Sequence, residues 1–210
     1  MLELLRKGGP VMWPLLITSI VSVSVVIERL FFIMREKTRR RPDVVAGILE
    51  KVEQTSIEEA IQTGRGCEDF VVKVLIYGLQ QREKSFSGAL LRAANQELKR
   101  FSQGLSTLDT IITLAPLLGL FGTVMGMIHA FGLLGGSELD APTAITGGIA
   151  EALIATAFGL VIAIVALIPF NYLNGLLEEA RHEIEDASNH LELLLMKPEN
   201  DRRADPTASR

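Results

Sequence analysis

Residues 111–134 read IITLAPLLGLFGTVMGMIHAFGLL and residues 146–172 read TGGIAEALIATAFGLVIAIVALIPFNY. Crossing about 30 Å of hydrocarbon takes about 20 apolar residues in a helix, and each run exceeds that length. Among Asp, Glu, Lys, Arg and His, they contain only His129 and Glu151. A third apolar run, VMWPLLITSIVSVSVVIERLFFIM, occupies residues 11–34 and closes on Glu28, Arg29 and a basic cluster. The chain has 210 residues, of which 48% are hydrophobic and only 6% aromatic. Its apolar residues are thus concentrated in blocks rather than spread through a soluble core. This predicts an all-α integral membrane protein with three transmembrane helices, and with long helices extending into the cytoplasm.

The order that follows is an external N-terminus at 1–10, transmembrane helix 1 at 11–34, and a cytoplasmic helical insert at 35–105. Transmembrane helix 2 covers 106–134, an external turn 135–143, and transmembrane helix 3 covers 144–173. A cytoplasmic C-terminal helix at 174–196 and a disordered tail at 197–210 complete it. The first run is read as a retained span, because it is too long for a signal peptide and no small-residue cleavage site follows it. Lys and Arg concentrate on the cytoplasmic side of a membrane. Arg6 and Lys7 precede the first span, whereas Arg29, Arg35, Lys37, Arg39, Arg40 and Arg41 lie in or after its end. Between Arg100 and Arg181 there is no Lys or Arg. The N-terminus is therefore expected outside, the 135–143 turn outside and the C-terminus in the cytoplasm.

Within the insert, apolar spacing predicts helices around Val44 to Val52, Phe70 to Leu79 and Leu90 to Leu105. Ser56 followed by Glu59 reads as a capping box, and Gly64-Arg65-Gly66 as a break. No glycine-proline breaker follows Gln96, so one long helix is expected to run into the second span. The stripe Leu173, Leu176, Leu177, Ala180, Ile184, Ala187, Leu191 and Leu195 requires a partner surface beyond the bilayer.

Lipid provides little hydrophobic drive for helix association, so spans meet where small residues let backbones approach. Gly119, Gly122 and Gly126 form such a stripe on the second span. Ala152, Ala155, Gly159, Ala163 and Ala166 form one on the third. Thr123 and Thr156 adjoin these stripes near mid-span, where a hydroxyl turns toward protein, water or its own helix carbonyl. Glu151 is a carboxyl well inside the third span and can exchange a proton there. It is five residues from Thr156, about 140° around a helix, so the two flank a face. His129 lies about 240° from Thr123 by the same geometry. Asp109 marks the cytoplasmic end of the second span, and Glu28 with Arg29 is expected to snorkel at the end of the first.

The net charge of −4 and the lack of a phosphate-cradling loop argue against nucleic-acid and nucleotide binding. His182 and His190 have no metal-ligand arrangement around them, and no nucleophile-base pair is visible, so no cofactor, metal or enzymatic activity is expected. Cys67 reads as a free structural thiol.

The strings from Leu114 to Ile128 (LAPLLGLFGTVMGMI) and from Gly148 to Leu160 (GIAEALIATAFGL) resemble the MotA/TolQ/ExbB proton channel family, most closely its ExbB and TolQ branch. The resemblance implies a homo-oligomer, typically a pentamer, around a dimer of an ExbD/TolR-like single-span protein whose membrane aspartate carries the proton. It also implies that Thr123, Glu151 and Thr156 line or flank the pathway. Through a TonB-like or TolA-like protein, such a bacterial inner-membrane stator would convert proton-motive force into work on TonB-dependent transport or Tol-Pal. Two departures are Met125, where many relatives have tryptophan, and Val165, where many have proline. The alternatives are a non-conducting membrane scaffold that recruits cytoplasmic partners and a small-solute transporter subunit. For the latter, the expected pair of repeat-related broken helices is not seen.

Overall fold

The computed structural model describes residues 8–132 and 141–196, except for the side chains of residues 83, 84 and 141–144. The expected 135–143 turn and the tail at 197–210 fall largely or wholly outside the described residues, as does most of the N-terminal segment 1–10. All regular structure among the described residues is helical: α1 Met12–Arg39, α2 Pro42–Glu53, α3 Ile57–Gly64, α4 Phe70–Gln80, α5 Arg82–Ser102, α6 Leu105–Gly132 and α7 Ala141–Met196. Three of these, α1, α6 and α7, are long and apolar enough to cross a membrane.

The chain divides into two compact units, one of residues 1–30 and 104–174, the other of residues 31–103 and 175–210. In the first unit, α6 buries a stripe at three- and four-residue spacing: Leu105, Leu108, Ile111, Ala115, Gly119, Gly122, Gly126 and Ala130. The α7 residues Ala152, Ala155, Ala163 and Ala166 are buried as well. Val11, Met12 and Leu15 pack with Ala115 and Ala163 to bring the start of α1 into the same cluster. Large side chains on the opposite faces, among them Leu117, Phe121, Ile128, Leu153, Val161 and Ile168, stay exposed. An apolar exterior around a small-residue interior is what lipid as solvent favours. Proline lacks the N–H a helix requires, so Pro116 and Pro169 leave the carbonyls of Ile112 and Val165 without their helical donors. A kink site therefore exists one turn beyond Val165.

In the second unit, α2 to α5 and the end of α7 share a core that includes Ile48, Val52, Val74, Leu75, Leu79, Leu90, Ile184 and Leu191. The stripe Ala180, Ile184, Ala187 and Leu191 finds its partner surface here. Cys67 is a half-buried free thiol against this core.

Three local expectations are corrected. The expected continuous helix into the second span is interrupted, since α5 ends at Ser102 and α6 begins at Leu105. Gly104 lies between them with φ +76°, in the left-handed region that a Cβ disfavours by about 1–2 kcal/mol. The break needs only this glycine and no proline. Ser56 does occupy the N-cap of α3, but its side chain makes no cap bond. Glu59 pairs with Lys51 at 2.8 Å instead of returning to the cap. Arg29 does not snorkel, for it is only 5% exposed. It pairs with Glu28, and its stem lies beside the position of Gly104.

Candidate functional site

The seam between α6 and α7 is built by residues too small to hold the backbones apart. A Cβ on Gly119 would lie 3.0 Å from the Thr156 Cα and 3.1 Å from the Ala155 carbonyl oxygen. One on Gly122 would meet the Ala155 Cβ at 2.5 Å, and one on Gly126 the Ala152 Cβ at 3.0 Å. Gly159 faces the Ala115 carbonyl oxygen with no room for a side chain. Ala163 is buried in the adjoining cluster with Val11, Met12 and Leu15. These contacts follow an antiparallel register, in which the numbering rises along α6 as it falls along α7.

The three polar residues take separate positions on this seam. Thr156, half-buried, donates from Oγ1 to the main-chain carbonyl of Gly119 at 3.0 Å. Its hydroxyl is thereby turned into the seam rather than outward to a partner helix. Thr123 donates to the carbonyl of Leu120 in its own helix at 2.6 Å. It borders an open groove of about 830 Å³ between α6 and α7, walled by Met127, Phe131, Ala152 and Leu153 among others. The two threonines differ by about one helical turn in depth, since Gly119 is level with Thr156 and lies four residues from Thr123.

Glu151 is half-buried, and its carboxylate lies directly against Gly9 in the turn that precedes α1. No side chain could occupy position 9 without displacing it. Gly9 also has φ +71°, a backbone conformation that favours glycine. The set is therefore dispersed: Thr156 faces α6, Thr123 faces the groove, and Glu151 faces the entry to α1. His129 and Asp109 are both exposed on α6.

A hydroxyl-lined feature that the apolar pattern had hidden lies between α1 and α6. Thr18, Ser106, Thr107 and Thr110 line a groove of about 310 Å³ with Ile17, Val21 and Ile111. Thr18 bonds the Leu15 carbonyl and Thr110 the Ser106 carbonyl, each at 2.8 Å. The spacing of Ser106, Thr110 and Thr113 by four and three residues was the available signal. Among the described residues no group of three or more His, Cys, Asp or Glu is arranged to hold a metal ion.

A family profile described as the MotA/TolQ/ExbB proton channel family matches residues 47–186. A protein named putative biopolymer transport protein ExbB-like 1, from Synechocystis, is 35% identical over 92% of this chain and 78% of its own length. The biopolymer transport protein ExbB of Neisseria gonorrhoeae is 46% identical over 79 residues, covering 38% of this chain and 36% of that protein. The Tol-Pal system protein TolQ of Haemophilus influenzae is 42% identical over 86 residues, covering 41% and 38%.

Proposed function

We propose, from the premise that this chain belongs to the MotA/TolQ/ExbB proton channel family, that it is the stator subunit of a proton-driven motor in a bacterial inner membrane. The chain itself is a multi-pass membrane protein of that channel family. It would act as a homopentamer around a dimer of an ExbD/TolR-like single-span protein, with its N-terminus outside and its C-terminus in the cytoplasm. The partner's membrane aspartate would carry the proton past Thr123, Thr156 and Glu151. The resulting movement would drive an envelope system through a TonB-like or TolA-like protein.

The observation that most supports this reading is the combination on α6 and α7 of a close-packed small-residue seam with polar groups beside it. A hydroxyl or carboxyl within a span is costly unless it has a role toward protein, water or an ion. Thr123 borders an open groove, and Glu151 is the one acidic residue within the apolar part of α7. Neither threonine is continuous with Glu151 in a proton wire, which agrees with a carrier on another chain. Proton influx into vesicles tests the proposal. Influx should appear when the chain is combined with its single-span partner and be absent with either protein alone.

A second reading, a non-conducting membrane scaffold that recruits cytoplasmic partners, has one observation in its favour. Both threonine hydroxyls are already engaged by carbonyls, as they would be if they served packing alone. Vesicles holding both proteins and showing no influx would select it.

A further inference from the structure

Within the second unit, the last turns of α1, the start of α4, the end of α5 and the stretch of α7 after Gly175 line a partly open cavity of about 90 Å³. Its walls include Glu36, Arg40, Phe70, Phe101, Glu179 and Glu183. Glu36 is only 4% exposed. One of its oxygens accepts from Arg100 Nη2 at 3.3 Å, whereas Oε2 is buried with no hydrogen-bond partner. A buried carboxylate oxygen without a partner forfeits its hydration for nothing in return, a cost that an ordered water relieves.

The cations nearby are already divided. Arg100 also holds Glu97 at 2.6 Å. Arg40 lies over the Phe70 ring, pairs with the fully buried Asp69, and reaches Glu183 at 2.8 Å. Asp69, Glu183, Glu36, Glu97 and Glu179 are five carboxylates facing three cations, Arg40, Arg100 and Lys37. Fully ionised, the group carries two negative charges in excess. The cavity has room for several waters.

We propose that this cavity is a hydrated proton-binding site, in which Glu183 takes up a proton from bulk solvent and ordered water links it to the open Oε2 of Glu36. Uptake converts one carboxylate to a carboxylic acid and changes no other bond. Burial raises the pKa of Glu183 above its usual value, against the opposing pull of Arg40, while Glu179 and Asp69 add to the rise. A proton is favoured over a metal ion because no group of three candidate ligands converges among the described residues. When Glu183 is neutral its pair with Arg40 weakens, and Arg40 is left to Asp69. Proton occupancy thereby sets how firmly the end of α1 is held to α7 within this unit. The site does not require the spans to conduct.

Infrared difference spectra of the full chain in lipid nanodiscs, taken between neutral and mildly acidic pH above the ordinary carboxyl range of about 4, test the assignment. A protonated-carboxyl C=O band should appear as the pH falls, shift in D₂O, and drop at least twofold in Glu36→Gln and in Glu183→Gln. Wild-type amplitude in both variants overturns the site, as does a band governed by sodium or potassium at constant pH. If circular dichroism shows that Glu36→Gln is unfolded, Glu183→Gln decides alone, with an unchanged band counting against the proposal.

Discussion

Thr156 donates from Oγ1 to the carbonyl oxygen of Gly119 at 3.0 Å, fastening α7 to α6 at the point where Gly119 lets the two backbones approach. Hydrogen bonds between membrane helices contribute on average about 0.6 kcal/mol and at most about 1.7 kcal/mol. Thr156→Val keeps the shape and removes the donor, so unfolding in mild detergent should show a loss in that range. Thr156→Ser should stay close to wild type.

Gly159 and Gly175 lie on the same helix and should respond differently to alanine. At Gly159 the added carbon would press on the Ala115 carbonyl oxygen, a backbone atom that has no rotamer to give way. Overpacking of this kind costs about 1–3 kcal/mol, and Gly159→Ala should lower the thermal midpoint. At Gly175 a Cβ meets nothing within 4 Å. Gly175→Ala should be neutral or gain up to about 1 kcal/mol from helix propensity.

Asp69 is fully buried and accepts from the Val71 N–H at 2.8 Å and the Arg41 N–H at 2.6 Å, as well as from the Arg40 guanidinium. Removing one partner of a buried pair costs about 3–5 kcal/mol. Asp69→Ala should therefore unfold the second unit at much lower denaturant. Asparagine caps helices about as well as aspartate, so Asp69→Asn should retain the cap and lose less.

Glu183 contributes a pH dependence of defined sign. Its folded pKa is raised by burial, so the folded chain holds this proton more readily than the unfolded chain does. The stabilisation is fully present below the ordinary carboxyl pKa and is lost as pH rises through the folded value. In denaturant titrations across that window, Glu183→Gln should flatten the decline in stability seen for wild type. An equal slope in both proteins would contradict this sign.

The three spans and the small-residue seam were legible because both depend on periodic local composition. Apolar length alone marked α1, α6 and α7. The spacing of Gly119, Gly122 and Gly126 alone marked the face that α6 buries. Much of what escaped depends on partners that residue spacing does not name. Asp69 reads as one more polar residue until Arg40, 29 residues earlier, is brought beside it. The capping box at Ser56 had the right residues at the right spacing, yet Lys51 offered Glu59 a charged partner and drew it away from the cap. Gly104 has no neighbouring proline to mark it in the sequence, although a positive φ at one glycine suffices to end a helix. The direction of Thr156 was also illegible, because angular position on a helix does not say whether a neighbouring carbonyl lies within reach.

Glu151 and Thr156 are proposed to serve a proton pathway shared with a single-span partner. Proton influx into vesicles containing the chain and its co-expressed partner should be measured for wild type, Glu151→Ala and Thr156→Ala, with assembly checked in each. Influx should fall at least tenfold in one or both variants, at a stability cost too small to explain it. Wild-type influx in both, together with unimpaired energisation of the envelope system, would contradict it.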